Sequence, residues 1–241
     1  ELLLSAGDPE EAVTYFSNAL AEEPERADLR RGLAVSLTRA KRPNDAARVY
    51  QEMVSLGQAT PADRLDYAFV AVRLERWEDA KSLSEGLPEG LNTARRHLLT
   101  ALIADHERRW EAADAAYERA EKLTTNPAEV LNNWGVSKLS RKEFAEAEEL
   151  FQRAVSFDSG LFRAKNNLAI ARGLQGNYQL PIVPLSDTEQ AVVLNNLGLV
   201  ALQNGETDVA RGLFAAAIEA HPKYYEAAAD RLAALEAKVE N

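Results

Sequence analysis

LNNWGVSKLSRKEFAEAEELFQRA, at residues 131–154, contains two amphipathic segments separated by a short polar turn. In the first segment, Leu131, Trp134 and Gly135 have the spacing that places side chains on one face of a helix, and Gly135 is small enough for a neighbouring helix to approach closely. In the second segment, Ala147 and Phe151 begin a matching stripe. The stretch therefore predicts a hairpin of two short helices.

The alanine that begins the second stripe recurs along the chain at steps of 34, 34, 33, 34 and 63 residues. An aromatic residue follows four positions after each of these alanines except one, where Ser84 takes its place. The alanines are Ala12, Ala46, Ala80, Ala113, Ala147 and Ala210. A regular period of about 34 residues predicts an array of similar helical hairpins.

This pattern resembles the tetratricopeptide repeat, whose signature is W-x2-L-G-x2-Y followed by A-x3-F and P. In the repeat quoted above, Trp134 replaces the leucine and Ser159 stands where the proline is expected. The resemblance implies an all-α fold: a right-handed superhelical solenoid of about six helix hairpins, one of them interrupted, and a C-terminal capping helix. Neighbouring repeats in such a solenoid bury one another's apolar faces.

We expect one solenoid over residues 1–241, with N-terminal repeats at 1–127 and C-terminal repeats at 128–241. The interrupted repeat covers residues 162–187, and a capping helix is predicted at 223–239. The capping helix has apolar residues on one side and charged residues elsewhere, which suits the end of a stack.

The sequence LPIVPLS occurs where the second helix of the interrupted repeat should begin. Pro181 and Pro184 are three residues apart and forbid a regular helix there. Ser186 and Glu189 then form a capping box for a new helix. Two interpretations stay open for this segment: it has a functional role, in which it lines or occludes a binding groove or presents a polyproline face to a partner, or it only bridges the place of a lost helix.

Composition excludes several classes of function. With 46% hydrophobic and 27% charged residues, the chain has an ordinary globular composition. Its net charge of -10 argues against nucleic-acid binding, which requires clustered cations, and favours either simple solubility or a basic partner. No cysteine is present, so disulfides, thiol catalysis and cysteine-ligated zinc are excluded in this sequence. No apolar run approaches the length of a membrane span.

Pairs of asparagines occur at one position in three successive predicted first helices: Asn132 and Asn133, Asn166 and Asn167, and Asn195 and Asn196. The family resemblance implies that first helices line a concave groove for extended peptides, with Asn133, Asn167 and Asn196 facing it. An asparagine amide can donate to and accept from a peptide backbone. The alternative is that asparagine is merely common at this position in such repeats.

Three residues after the second asparagine of each pair lie Val136, Ile170 and Leu199, which would give the groove an apolar floor. Since the N-terminal repeats lack the asparagines, we expect ligand binding to concentrate between residues 129 and 203. Alanine substitution of the three groove-facing asparagines is expected to weaken binding and to leave thermal unfolding nearly unchanged.

Catalysis has little support in the sequence. His97 and His106 are nine residues apart on one predicted helix and therefore on opposite sides, and His221 lies in a predicted loop. No histidine pair with metal spacing, nucleophile elbow or phosphate-binding glycine loop occurs. We therefore predict no catalytic residues, no metal and no cofactor.

Three stretches resemble the TadD group of tetratricopeptide proteins from tight-adherence (Flp) pilus systems. They are EVLNNWGVSKL at residues 129–139, LFRAKNNLAIARGLQGNYQLPIVPLSDTEQAVVL at 161–194 and HPKYYEAAADRLAALE at 221–236. That group is similar to pilotin lipoproteins, which escort a secretin to the outer membrane. The resemblance implies an assembly factor whose partner is a secretin or pilus subunit, at the periplasmic face of the outer membrane.

The resemblance also implies a lipidated cysteine, which this sequence lacks. Since the chain opens at Glu1 without a methionine, we expect a leader or an anchor before it. A second function of a different class stays open: a cytoplasmic regulatory or substrate-docking module of an enzyme system, such as a glycosyl- or peptidoglycan-acting complex. The native sequence upstream of Glu1 would distinguish the two, because only the first predicts a leader that ends in a lipidated cysteine.

Overall fold

The computed structural model describes residues 7–223 and 225–237, and every regular element in those ranges is an α-helix. The described helices are α1 (Pro9–Glu22), α2 (Ala27–Arg39), α3 (Pro43–Ser55), α4 (Pro61–Arg73), α5 (Trp77–Glu85), α6 (Ala94–His106), α7 (Trp110–Lys122), α8 (Ala128–Ser140), α9 (Phe144–Phe157), α10 (Phe162–Gly173), α11 (Asp187–Gln203), α12 (Thr207–Ala220) and α13 (Glu226–Glu236). The prediction of an all-α fold is confirmed. The chain divides into two compact units between Leu123 and Thr124, with α1–α7 in the first and α8–α13 in the second.

Each first helix that the structure describes ends in a turn through one residue with left-handed backbone conformation. In the turn between α8 and α9, for example, Lys142 has a φ of 63° and the Glu143 N–H donates to the Lys138 carbonyl at 3.0 Å. The residues with positive φ in these turns are Lys41, Glu75, Arg108, Lys142, Gly176 and Gly205. The turns therefore repeat with the period of the sequence pattern, although four of the six residues are not glycine.

Replacing Lys41 with Gly is expected to raise the free energy of unfolding by about 0.5–1 kcal/mol. Lys41 is exposed and has a φ of 57°, so the substitution removes backbone strain that outweighs the added flexibility of glycine in the unfolded chain. Urea denaturation measures the change. Gly205→Ala is the reverse control and is expected to lower the free energy of unfolding. Its φ is 83°, and no atom lies within 4 Å of an added Cβ, so only the backbone conformation is strained. A less stable Lys41→Gly protein would contradict the prediction.

The alanines and aromatic residues of the pattern form the core between helices. Ala147 and Phe151 on α9 are fully buried, as are Ala210 and Phe214 on α12. A Cβ atom added to Gly135 on α8 would lie 2.6 Å from the Phe151 ring, closer than van der Waals contact allows. The glycine is therefore needed for the close approach of α8 to α9, as the sequence predicts.

The hairpin of α4 and α5 departs from the repeat pattern, and this is the repeat in which Ser84 replaces the aromatic residue. Helix α5 has 9 residues, whereas α3 and α7 have 13 each. Leu87 lies beyond the end of α5 and packs with Ala80 and Leu99 in the core. The connection to α6, residues 86–93, is held by the Arg96 guanidinium, which donates to the carbonyls of Pro88, Glu89 at 3.3 Å and Leu91 at 3.2 Å.

The interrupted repeat keeps its turn and loses its second helix. After α10, Gly176 adopts a φ of 82° and the Asn177 N–H donates to the Arg172 carbonyl at 3.0 Å, as in the other hairpins. Residues 178–185, which we call the bridging segment, then contain no helix. The predicted capping box follows: the Glu189 N–H donates to Ser186 Oγ at 3.3 Å, and the Ser186 N–H donates to Glu189 Oε2 at 3.0 Å.

Two side chains of the bridging segment pack against the core. Leu180 contacts the core around Val193 and Leu197, and Val183 contacts the core around Leu131 and Ala154. Between them, Ile182 is fully exposed, at 103%. This packing favours the interpretation in which the segment bridges a lost helix.

The C-terminal helix α13 packs against the end of the second unit. Ala228 is buried beside Leu194 and Ala217, and Leu235 is buried beside Phe214. The helix was predicted at residues 223–239; the structure places it at Glu226–Glu236, and residues 238–241 lie outside the described ranges.

Candidate functional site

The candidate site is the surface formed by the neighbouring first helices α8, α10 and α11 of the second unit. Each of these helices carries one of the predicted asparagine pairs near its middle. We call the six side chains the asparagine ladder, because hydrogen bonds join them from helix to helix. The members are Asn132, Asn133, Asn166, Asn167, Asn195 and Asn196.

Two hydrogen bonds of the ladder connect adjacent helices. Asn167 Nδ2 donates to Asn132 Oδ1 at 3.0 Å, which joins α10 to α8. Asn196 Nδ2 donates to Asn166 Oδ1 at 2.8 Å, which joins α11 to α10. The asparagines therefore stabilise the stacking of these helices, a role that the sequence pattern did not reveal.

The outer members of the ladder have other partners. Asn133 Nδ2 donates to the Glu129 carbonyl of its own helix at 2.9 Å. Asn195 Oδ1 accepts from Arg231 Nη1 of α13 at 3.0 Å. Asn132 and Asn195 are buried, so their side chains support the surface from below and are not placed to contact a ligand directly.

A ligand on this surface would meet the half-buried amides of Asn133, Asn167 and Asn196. Asn196 Oδ1 accepts from Asn195 Nδ2 at 3.4 Å. The Oδ1 atoms of Asn133 and Asn167 accept no hydrogen bond from any residue in the described ranges, so both can accept from a peptide N–H.

Three apolar side chains, which we call the apolar row, lie three residues beyond these asparagines. Val136 is 45% exposed and Leu199 is 40% exposed, and Ile170 between them is half-buried. Side chains three residues apart on a helix share a face, so the apolar row runs beside the three half-buried amides. The three predicted apolar residues therefore occupy equivalent positions on α8, α10 and α11.

The other side of the asparagine ladder carries an ion pair. Arg163 Nη2 donates to Glu129 Oε1 between α10 and α8, with both side chains about half exposed. Such an exposed pair contributes little to stability, about 0–1 kcal/mol. Because the two charges neutralise each other, this edge offers no net charge to a ligand.

A buried lysine ties the bridging segment to the same helices. Lys165 Nζ donates to the Pro184 carbonyl at 2.7 Å and to Glu189 Oε2 at 3.3 Å. The hydrogen bond from the Ser186 backbone, together with Lys165, lowers the pKa of Glu189 despite its partial burial. Lys165 was not among the residues predicted from the sequence, where its signal was a cation directly before the Asn166 pair.

The corresponding surface of the first unit is closed by its own side chains. Arg95 Nη2 pairs with Asp66 Oδ1 at 2.7 Å, and the Arg95 guanidinium lies 5.0 Å from the centre of the Phe69 ring. Asp66 occupies the position of the second asparagine in the ladder, and Phe69 that of the apolar row. The two units therefore differ at these positions, and the concentration of binding in the C-terminal repeats stays a prediction.

The histidines have local partners. His106 stacks on Trp77 with ring centres 4.3 Å apart, and His221 Nδ1 is 2.7 Å from the Lys223 carbonyl oxygen. Within residues 7–223 and 225–237, no group of three or more His, Cys, Asp or Glu side chains is arranged to hold a metal ion. Among the helices described above, none combines the length and apolar character needed to cross a membrane.

Two family models match most of the chain, and both describe a tetratricopeptide repeat. One matches residues 3–62, and the other matches residues 98–167 and 195–239. The unmatched residues 168–194 include the bridging segment. Among curated proteins, none matches this sequence.

Several solved structures have a similar fold at low sequence identity. A tetratricopeptide repeat protein from Parabacteroides merdae has a TM-score of 0.62 and 16% identity, over 97% of this chain and 94% of that one. PilW, described as a type IV pilus biogenesis factor, has a TM-score of 0.62 and 18% identity, over 86% of this chain and 98% of that one.

A chain of the APC/C hetero-tetramer Cut9–Hcn1 has a TM-score of 0.66 and 15% identity. The match covers 97% of this chain, but this chain spans only about half, 47%, of the length of that one. At these identities the similarity to PilW, Cut9–Hcn1 and the Parabacteroides protein concerns the fold alone.

Proposed function

This chain belongs to the tetratricopeptide repeat family, and from that premise we propose that it is a non-enzymatic scaffold that binds an extended segment of a partner protein across α8, α10 and α11. The observation that carries the proposal is the combination of half-buried amides and an exposed apolar row on three adjacent helices. The asparagine amides can bond to the backbone of any peptide sequence, whereas the apolar row favours ligands with apolar side chains at matching positions.

The spacing of the helices suggests the conformation of the ligand. Packed helices are about 8–10 Å apart. Three residues of a polyproline II helix rise about 9 Å and return to the same face. An extended segment with an apolar residue at every third position would therefore place one such residue on each of Val136, Ile170 and Leu199. Backbone N–H groups between them would donate to Asn133 Oδ1 and Asn167 Oδ1.

Selection from a display library of random 12-residue peptides tests this proposal. Enriched sequences are expected to carry apolar residues at i, i+3 and i+6 and to be low in charge, because the apolar row is uncharged and Arg163 and Glu129 beside the asparagine ladder neutralise each other. Failure to enrich any peptide, or enrichment of highly charged sequences without apolar residues, would count against it.

Asn133→Ala is expected to weaken binding of a selected peptide about 3–10-fold without loss of stability. The substitution removes an acceptor for the ligand, and the only described hydrogen bond lost is to the backbone of the same helix. Fluorescence anisotropy measures the affinity and thermal denaturation the stability. Asn18→Ala, at an exposed asparagine on α1, is the matched control and should change neither.

Asn167→Ala is expected to differ from Asn133→Ala, because it leaves Oδ1 of the buried Asn132 without its donor. It should weaken binding and also destabilise the second unit by about 1–3 kcal/mol. The sequence-based expectation of nearly unchanged thermal unfolding therefore no longer holds for Asn167 or Asn196. Equal stability of Asn133→Ala and Asn167→Ala proteins would argue against a structural role for the ladder.

We further propose that the partner is a secretin or another subunit of a tight-adherence pilus, and that the protein acts as a pilotin-like assembly factor at the periplasmic face of the outer membrane. The support is the sequence resemblance of residues 129–139, 161–194 and 221–236 to the TadD group. The fold similarity to PilW is compatible with it. A lipid anchor upstream of Glu1 would provide the membrane attachment.

Titration of the purified chain with the C-terminal segment of the secretin from the same pilus system tests the partner. Binding that a selected peptide competes away would support the proposal. Binding of library peptides together with no binding of secretin or pilus subunits would leave the scaffold role standing and remove the pilus role.

A further inference from the structure

The first unit contains a pocket of about 410 Å³ between the N-terminal part of α6 and the C-terminal end of α7. Asn92 and His97 line one side, and Arg119, Lys122 and Leu123 line the other. All of these residues belong to the first unit, whereas α8, α10 and α11 belong to the second.

The connection that follows the shortened α5 contributes Asn92 to the pocket. Helix α5 stops at Glu85 with 4 residues fewer than α7. At about 1.5 Å per residue, the missing part corresponds to about 6 Å of helix. The connection at residues 86–93 replaces it, and Arg96 gathers the carbonyls of this connection and so holds Asn92 in place at the pocket.

The described lining of the pocket is cationic in a chain whose net charge is -10. Arg119 is exposed and forms no ion pair with any residue that the structure describes. Lys122 Nζ pairs with Glu118 Oε1 at 2.6 Å, and no carboxylate is among the described lining residues. We propose that this pocket binds the anionic head of a small molecule or side chain, a phosphate or a carboxylate, through Arg119 and Lys122.

His97 is a further polar residue of the lining, and its pKa depends on the charges around the pocket. Its Nε2 lies 2.7 Å from Asn92 Oδ1, so Nε2 carries the proton and donates to that oxygen. Burial lowers the pKa of His97, and the nearby charges of Arg119 and Arg96 lower it further. An anion beside Arg119 opposes the effect of both guanidinium groups and raises the pKa of His97.

Leu123 gives the pocket an apolar rim, which suits an anion that is attached to an organic body. The Leu123 side chain is exposed at the end of α7, across from His97. A ligand that carries a short carbon chain next to its charge would cover this side chain, whereas inorganic phosphate would not. The organic phosphate or carboxylate is therefore expected to bind more tightly than the free ion.

Nuclear magnetic resonance of the histidine side chains tests the proposal in the whole chain. The pH titration of His97 is followed with 20 mM sodium phosphate, sodium acetate, O-phosphoserine or succinate, each compared with sodium chloride at equal ionic strength. We expect at least one of the anions to raise the pKa of His97 by about 0.5–1, with His106 and His221 unchanged. Phosphate and O-phosphoserine acting without acetate and succinate would identify a phosphate site, and the opposite pattern a carboxylate site.

Arg119→Ala should abolish the effect of the anions, and Arg119→Lys should retain part of it because the charge remains. Arg48→Ala, at an exposed arginine on α3, is the control and should leave the effect intact. The proposal is overturned if no anion moves the His97 titration more than chloride does, or if the Arg119→Ala protein responds as the unaltered protein does.

Discussion

Phe151→Ala is expected to lower the free energy of unfolding of the second unit by about 3–5 kcal/mol. The Phe151 ring is 0% exposed and lies against Gly135, where no side chain can move in to fill the space. Removing the ring therefore loses its transfer free energy and also leaves a cavity at the junction of α8 and α9. Because α10 packs on the same cluster through Leu168 and Ala171, the loss should reach the neighbouring repeat.

Urea denaturation followed by circular dichroism measures this change, and Phe157→Ala provides a closely matched control. Phe157 lies on the same helix but is 52% exposed, so its substitution should cost less than about 1 kcal/mol. Similar losses for both variants would show that the 34-residue pattern does not identify the core positions.

Replacing Val136 and Leu199 together with Asp is expected to weaken binding of a selected peptide at least about 100-fold. Each substitution removes apolar contact and places a carboxylate where the ligand would bury it without a partner, at about 1.5–2 kcal/mol or more per site. Both side chains are partly exposed in the free protein, so the fold should persist.

Val209→Asp is the control for this second prediction. Val209 lies on α12 in the same unit and has an exposure close to that of Leu199, but it is not on the proposed surface. Peptide anisotropy and thermal denaturation should both be unaffected by it. Retention of tight binding in the doubly substituted protein, with its helix content intact, would exclude the apolar row as the site.

The hairpins and their core could be predicted from sequence because their determinants are local. Gly135 and Phe151 lie within one repeat, and the capping box of Ser186 and Glu189 spans four residues. The loss of a helix after α10 was equally visible, since Pro181 and Pro184 exclude it by covalent geometry alone.

The partners within the candidate site could not be predicted because they belong to different repeats. Asn167 bonds to Asn132, 35 residues away, and Arg231 bonds to Asn195, 36 residues away. The spacing of residues in one helix says nothing about such contacts, so the hydrogen bonds that join Asn132 and Asn195 to other helices could not be predicted. The pocket near Arg119 was hidden for a similar reason, because Asn92 and His97 on one side are distant in sequence from Arg119 on the other.

The hydrogen bond from Arg231 also fixes the orientation of the neighbouring amides in the asparagine ladder. A guanidinium can only donate, so Asn195 must turn its oxygen towards Arg231 and its nitrogen towards Asn196. Asn196 in turn must direct its nitrogen to Asn166. Rotating any one of these amides would set two N–H groups or two oxygens against each other. The amides of Asn195, Asn196 and Asn166 therefore share a single polarity imposed from the last helix, and none of them can reverse while Arg231 donates to Asn195.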